Sequence, residues 1–152
     1  MIVFRLQNSG HQLVLSGKGA ALTGARWNSK GTEIIYTAHG RCLAMAEVVV
    51  HLSLAMLPKG FKMTEIAIPD EIEIFEFDIK KLPIGWNVFP ETIETQLIGD
   101  NFIKELKHVV MKVPSAVVKG DFNYLINPFH PDFIKITITS MEDFPFDKRI
   151  FK

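Results

Sequence analysis

The sequence is poor in cysteine and carries no net charge. Its one cysteine, Cys42, has no second cysteine with which to form an internal disulfide, which suits a reducing compartment. Seventeen basic residues balance seventeen acidic ones, so the strong positive field typical of nucleic-acid-binding domains is absent. Cysteine and histidine show no metal-site spacing. These absences predict a cytoplasmic protein with no metal and no direct contact with nucleic acid.

The main apolar stretch, residues 41–56, is too short and too polar to cross a membrane. It has about 16 residues where a spanning helix needs roughly 20, and it contains Arg41, Glu47 and His51. The first residues lack a basic segment followed by a long apolar core, so we expect no signal peptide and no membrane role. We interpret residues 41–56 as a helix that is covered on nearly all sides, or partly covered by a partner subunit.

The size and composition fit one folded domain over residues 1–152, with 47% hydrophobic and 22% charged residues. Helix and strand patterns are interspersed without a regular βαβ rhythm, which predicts the α+β class. There is no glycine fingerprint of a Rossmann or Walker site. Residues 16–29 are predicted as a loop. Helices are predicted at 41–56 and at 92–106, and the second helix is predicted to break at Gly99 and Asp100. Strands are predicted at 2–6, 33–38, 62–68 and 71–78, as a kinked pair in 109–118, and by alternation across 134–139.

A single acid, Glu47, lies within the apolar helix. At roughly 100° per residue, Leu43, Glu47, Val50 and Leu54 form one stripe, so the carboxylate points the way the core residues point. A buried, unpaired carboxylate costs several kcal/mol, which predicts a ligand, a cation or a catalytic role. The structural alternative is an ion pair with an arginine. Arg41 lies nearly opposite Glu47 on the helix wheel and is a poor partner.

Three further segments, taken in order with this helix, resemble the RES-domain family, which is named for an arginine, a glutamate and a serine. The segments are GARWN (residues 24–28), VPSAVV (113–118) and NYLINPFHPDF (123–133), and the resemblance runs nearly end to end. The name-giving residues would be Arg26, Glu47 and Ser115. Ala25 lies where the family more usually has a glycine, and Met45 and Ala46, directly before Glu47, match the family pattern only loosely. No proposed functional side chain is missing.

The resemblance implies a single compact domain with a mixed split β-sheet and flanking helices, similar to ADP-ribosyltransferases, that binds NAD as a substrate. It implies a bacterial toxin of a type II toxin–antitoxin system that depletes NAD by cleaving the nicotinamide–ribose bond, as a glycohydrolase or a phosphorylase. The expected partner is a cognate Xre-type DNA-binding antitoxin, and a homodimer or a toxin–antitoxin hetero-oligomer both stay open.

Two other functions stay open under the same resemblance. One is transfer of ADP-ribose to a protein target. The other is a non-catalytic partner-binding module of the same fold, although such a module would not need to keep Arg26, Tyr36, Glu47 and Ser115 together. An RNA-cleaving toxin would need a basic groove, which the balanced charge does not favour.

The chemistry of NAD cleavage assigns roles to the three catalytic candidates. Glu47 would support the positive charge that develops on the ribose, because a carboxylate acts strongly where water is excluded. Arg26 has the planar fork that matches phosphate oxygens, or it neutralises Glu47. Ser115 would orient Glu47 or the substrate, since no histidine–acid relay is evident that would make it a nucleophile.

Three more residues are predicted to contact NAD. Tyr36 would stack on the nicotinamide, or it is a core tyrosine with a satisfied hydroxyl. Trp27 would form a pocket wall or part of the core, and Asn123 could shape a loop through its side chain. The sequence assigns no role to Arg5, His39 and His51.

Overall fold

One mixed β-sheet and three α-helices make up the parts of the chain that a computed structural model describes, which are residues 1–10, 14–52 and 59–151. The helices are α1 (Lys18–Thr23), α2 (Arg41–Val49) and α3 (Ile93–Glu105). The strands are β1 (Ile2–Asn8), β2 (Ile35–Ala38), β3 (Phe61–Ala67), β4 (Ile74–Glu76), β5 (Val110–Pro114), β6 (Phe122–Ile126) and β7 (Thr137–Asp143). Each of these helices is too short to cross a bilayer.

The sheet consists of two groups of strands, β4-β5-β6-β2 and β1-β3-β7, that meet at a narrow join. Its strand order is β4-β5-β6-β2-β1-β3-β7, and only the β4–β5 pair is parallel. β1 and β3 pair over seven positions, whereas β1 and β2 are matched at a single one, Phe4 opposite Ala38. The predicted α+β class with a mixed, split sheet is confirmed.

The hydrophobic core is divided among three clusters on the two faces of this sheet. One cluster centres on Val3, Ile35 and Ile66. A second lies under α2 and includes Leu43 and Met63, and a third lies under α3 and includes Trp27, Ile34, Phe102 and Leu125. Burying one such aliphatic side chain contributes about 1.5–3 kcal/mol, so both helices are fixed to the sheet by apolar contact.

The helix that carries Glu47 is half-exposed, so the prediction of a helix covered on nearly all sides is wrong. Leu43 and Ala44 are its buried residues, and Val50, predicted on the buried stripe, is 56% exposed. The reason is that α2 ends at Val49, so Val50 follows its last turn. Residues 53–58, including Leu54 and the rest of the predicted helix, lie outside the described residues.

The predicted break at Gly99 and Asp100 does not occur, and α3 is continuous. A Cβ atom on Gly99 would lie 1.6 Å from the carbonyl oxygen of Trp27, so glycine is present because the helix meets another backbone there. The carboxylate of Asp100 accepts a hydrogen bond from the Ser29 backbone N–H at 3.0 Å. Both residues therefore attach the 24–31 segment to the helix.

Four other predicted boundaries differ from the structure. The predicted loop at 16–29 contains α1, and the predicted strand at 71–78 is reduced to the three residues of β4. β5 ends at Pro114, which has no N–H to continue a ladder, so residues 109–118 are not a strand pair. The alternation across 134–139 begins inside a 3-10 segment, Pro131–Lys135, before β7 starts.

Candidate active site

A cavity of about 620 Å3 opens where β1 and β2 barely pair. Its walls come from Phe4–Leu6 of β1, Tyr36–Ala38 of β2, the face of α2 that carries Glu47, and the connector 82–92, which runs from a 3-10 turn at Ile79–Lys81 to α3. This volume is within the range of small-molecule sites. The narrow join in the sheet therefore produces the space that a ligand can occupy.

The Glu47 carboxylate is fixed on the cavity wall by two side chains. Ser115 Oγ donates a hydrogen bond to Glu47 Oε1 at 2.8 Å, and Asn123 Nδ2 donates one to the same oxygen at 2.6 Å. Glu47 itself is only partly buried. In the described ranges no donor is bonded to Oε2, and no cation pairs with the carboxylate. Hydrogen bonding, rather than an ion pair, compensates this acid.

Ser115 lies behind Glu47 and not on the cavity surface. Its backbone N–H donates to Asp121 O at 2.8 Å, which closes a turn directly after Pro114 ends β5. Its Oγ accepts from the backbone N–H groups of Val117 and Val118 at 3.1 and 3.0 Å. The one hydroxyl proton is therefore directed to Glu47. Ser115 therefore orients Glu47, which is one of its two predicted roles, and its Oγ also forms a serine turn.

Asn123 belongs to a strand, so the prediction that it shapes a loop is wrong. In β6 it lies opposite Ala38 of β2 on one side and Val113 of β5 on the other. The turn residues nearest to it, Asn127-Pro128, lie beyond the end of β6 at Ile126. Its amide reaches Glu47 from β6, the strand next to β2, which α2 contacts.

Arg26 lines the cavity and holds the connector in place. It lies within a tight turn whose end residues, Ala25 and Asn28, exchange backbone hydrogen bonds. Its Nη1 donates to the carbonyl oxygens of Trp86 and Val88 at 2.6 and 2.9 Å. Across residues 1–10, 14–52 and 59–151 it forms no ion pair with Glu47, so that structural alternative is wrong. Its Nε and Nη2 donors are bonded to no described residue and remain available to a ligand.

A second arginine, Arg5, faces the same cavity. Its Nη1 donates to Ser16 O at 3.0 Å, and burial lowers the pKa of the guanidinium. No carboxylate of the described residues pairs with it. The sequence contained the signal that also marked Glu47, a charged residue inside an otherwise apolar element. Arg5 supplies an uncompensated positive charge to the site.

Tyr36 is fixed by its hydroxyl and exposes its ring to the cavity. Its Oη donates to Asn28 Oδ1 at 2.7 Å and accepts from the Trp27 backbone N–H at 3.0 Å. Burial is the main cause that raises the pKa of this phenol, which keeps it neutral and able to donate. The hydroxyl is satisfied, as the core alternative predicts, and the ring lines the cavity, where its stacking on nicotinamide stays a prediction.

Trp27 is both core and cavity wall. It is 2% exposed and packs against Trp86 of the connector with ring centroids 6.2 Å apart. His51 lines the cavity, whereas His39 Nδ1 lies 3.3 Å from Phe122 O outside it. Arg41, as predicted, does not pair with Glu47; it bridges Glu65 and Glu142 instead.

Glu91 is a cavity residue that the sequence did not reveal. It lines the wall formed by the connector, immediately before Thr92, the cap residue of α3. An acid before a helix is common on protein surfaces and carries no distinguishing pattern. In the described part of the chain, no three His, Cys, Asp or Glu residues are arranged to hold a metal ion.

Comparisons with known proteins agree on one family. The family model described as "RES domain" matches residues 2–147. The "Prs ADP-ribosylating toxin" of Sphingobium sp. strain YBL2 is 36% identical over 141 residues, covering 91% of this chain and 87% of that protein. "Toxin Res" of Photorhabdus laumondii is 35% identical over 154 residues, covering 100% and 98%.

A solved structure shares the fold. A chain in the crystal structure of the M. tuberculosis MbcT–MbcA toxin–antitoxin complex superimposes with a TM-score of 0.73, covering 99% of this chain and 86% of that one. Sequence identity over the match is 16%, so this likeness concerns the fold alone.

Proposed function

This chain belongs to the RES-domain family, and we propose that it is the toxin of a type II toxin–antitoxin system that cleaves the nicotinamide–ribose bond of NAD. The observation that carries this proposal is a fixed carboxylate, Glu47, in a cavity that also presents two arginines and an aromatic ring. These groups match the three chemically distinct parts of NAD, which are a sugar that becomes positive, a diphosphate and a flat cationic ring.

Glu47 acts on the ribose. When the bond between the ribose carbon and the nicotinamide nitrogen breaks, its electron pair leaves with nicotinamide and the sugar becomes positively charged. Glu47 Oε1 already accepts from Ser115 and Asn123, so Oε2 faces the substrate, where it accepts ribose hydroxyl protons and stabilises the developing charge. Its orientation is fixed before the reaction, which lowers the cost of reorganisation.

Two arginines bind the diphosphate. Arg26 keeps Nε and Nη2 for a phosphate after Nη1 has bonded the connector, and Arg5 offers a guanidinium whose burial strengthens its attraction to an anion. The Tyr36 ring provides the flat surface on which the nicotinamide ring stacks, and the buried Trp27 supports it from the core.

The acceptor of ADP-ribose is water or inorganic phosphate in the leading hypothesis. Transfer to a protein is the second candidate, supported by the 36% identical Sphingobium protein, whose name describes it as an ADP-ribosylating toxin of Prs. The two differ only in what reaches the ribose carbon after nicotinamide has left. Product analysis distinguishes them, because water gives free ADP-ribose, phosphate gives its phosphorylated form, and protein transfer gives a modified polypeptide.

The toxin is proposed to act in the cytoplasm beside an Xre-type DNA-binding antitoxin. Large apolar side chains that a partner could cover are exposed on the connector and the start of α3, among them Phe89, at 75%, and Ile93, at 70%. Phe89 also lines the cavity, so a protein seated there would lie at its entrance. Copurification with the protein encoded beside this chain tests the pairing.

Nicotinamide release from NAD by the purified protein is the decisive test. The wild type should release nicotinamide, and Glu47→Gln should abolish the release while unfolding at a similar temperature, because glutamine can accept the same two hydrogen bonds without the charge. Glu94→Gln, at an exposed position of α3, is the matched control and should be fully active. Full activity of Glu47→Gln would contradict the mechanism, and a folded but inactive wild type would favour a binding module.

A further inference from the structure

The cavity contains a second carboxylate that the cleavage step does not use. Glu91 lines the cavity wall and is partly buried, yet no hydrogen bond or ion pair joins it to any residue in the ranges 1–10, 14–52 and 59–151. Most of the acids that form ion pairs in these ranges, such as Glu76, Glu142 and Asp143, do so at the surface. Because an unpaired charge is costly to bury, this acid favours a ligand that places a positive charge beside it.

The backbone that carries Glu91 is held close to the ring of Tyr36. Arg26 bonds the carbonyl oxygens of Trp86 and Val88, which fixes the connector a few residues before Glu91. The Trp86 ring of the connector packs against Trp27 with ring centroids 6.2 Å apart, and the Trp27 backbone N–H donates to Tyr36 Oη at 3.0 Å. The connector and the Tyr36 side chain therefore lie on one side of the cavity, whose wall includes Glu91.

The two carboxylates stand near different ends of the β2 floor. Glu47 is bonded to Asn123, which lies opposite Ala38, whereas Glu91 belongs to the connector, which is joined to Tyr36 through Trp86 and Trp27. Residues two apart on an extended strand are about 7 Å from each other, which is comparable to the length of a nicotinamide group. A ring lying on Tyr36 would have a negative charge near each end.

This arrangement matters because NAD exists in a cationic and a neutral form that differ only in the nicotinamide ring. The oxidised ring is a pyridinium, which leaves as neutral nicotinamide with the electron pair of the broken bond. The reduced ring is neutral and would have to leave as an anion, so NADH cannot be cleaved in this way. NADH shares every other group with NAD+. Without a means of telling the two rings apart, the cavity would bind NADH as an inhibitor.

We propose that Glu91 selects the cationic nicotinamide of NAD+ and excludes the neutral ring of NADH. The inference rests on the proposed function, since it places nicotinamide on Tyr36. A carboxylate attracts the pyridinium, whereas it offers nothing to a dihydropyridine and loses part of its hydration against it. Glu91 is a specificity-determining residue in this account and takes no part in breaking the bond.

Titration calorimetry with both nucleotides tests the proposal. The Glu47→Gln protein is the host, because it binds NAD+ without consuming it, and Glu91→Gln is added to it. The ratio of the Kd for NADH to the Kd for NAD+ should fall by about tenfold, a factor typical of one partly exposed charge. Glu94→Gln, three residues further on at an exposed site, should leave the ratio unchanged.

A second measurement uses the enzyme with Glu47 intact. NADH should inhibit nicotinamide release by the Glu91→Gln protein at a lower concentration than it inhibits the wild type, and the KM for NAD+ should rise while kcat changes little. An equal change in the affinity for both nucleotides, or no change, would overturn the assignment of Glu91. Selective binding of NAD+ without any cleavage would overturn the proposed reaction alone, and binding of neither nucleotide would overturn both.

Discussion

Ser115 Oγ and Glu47 Oε1 are 2.8 Å apart, and they come from segments 68 residues apart in the chain. The hydroxyl oxygen accepts two backbone N–H groups of its own turn, so its proton points at the carboxylate. The turn thus acts as a fixed donor for the acid. This relationship makes Ser115 a positioning residue whose effect on the reaction passes through Glu47.

Removing this donor should slow the chemical step more than it weakens binding. Ser115→Ala should lower kcat for nicotinamide release by about tenfold, the equivalent of one hydrogen bond of roughly 1.4 kcal/mol to a charged group. The KM should change little, since Asn123 still holds Glu47 near its position. Steady-state kinetics separate the two constants. Ser115→Thr keeps the hydroxyl and should recover most of kcat; a Thr variant as slow as the Ala variant would argue against orientation through this bond.

The Tyr36 hydroxyl should matter to the fold and its ring to the ligand. Tyr36→Phe leaves Asn28 Oδ1 and the Trp27 N–H without their partner, which should cost about 1–3 kcal/mol of unfolding free energy. NAD+ binding should persist, because the ring surface remains. Tyr36→Ala should lower the unfolding free energy and also abolish NAD+ binding. Urea unfolding and calorimetry provide the two readouts, and a Phe variant with wild-type stability but no binding would reverse these assignments.

Acid should destabilise the protein through Asp100. Burial alone would raise the pKa of this carboxyl, but hydrogen bonds from Ser29 and Thr32 outweigh it and hold the pKa below its ordinary value. A depressed pKa contributes stability that is complete above the unfolded value of about 3.9 and is lost as the pH falls through the folded value.

The measurement that checks this expectation is the unfolding free energy from about pH 6 to pH 2, a range that brackets the ordinary carboxyl pKa. Asp100→Asn should flatten the decline below about pH 4, and it should be less stable than the wild type near neutrality. Asp70→Asn, at an exposed site whose carboxylate meets only the chain terminus, is a matched control. A decline that is as steep in the Asp100 variant would place the acid sensitivity elsewhere.

Some elements followed from local pattern because their cause is local. The alternating residues of β1 and β3 and the apolar positions at the start of α2 predicted those elements, since side-chain periodicity reflects which face is covered. The GARWN and VPSAVV segments predicted the family for the same reason, because each holds its signal within a few adjacent residues.

Other features could not be predicted from local sequence because their cause lies elsewhere in the chain. Gly99 resembles a helix breaker until the carbonyl of Trp27 is found against it. Asn123 was predicted in a loop, although its pairing with β2 and β5 makes it part of a strand. The break predicted at Gly99 in the helix over 92–106 is absent, because glycine there serves the contact with Trp27.

The sequence by itself determined the class of the fold, the family and the types of side chain available for chemistry at Arg26, Glu47 and Ser115. Tertiary structure alone decided how they are used: Glu47 is fixed by neutral donors, Arg26 holds the connector, and Arg5 and Glu91 join the cavity wall. The physical reason is that hydrogen bonds and charges act over a few ångströms in space, and the chain brings such groups together from distant positions only after the sheet has formed.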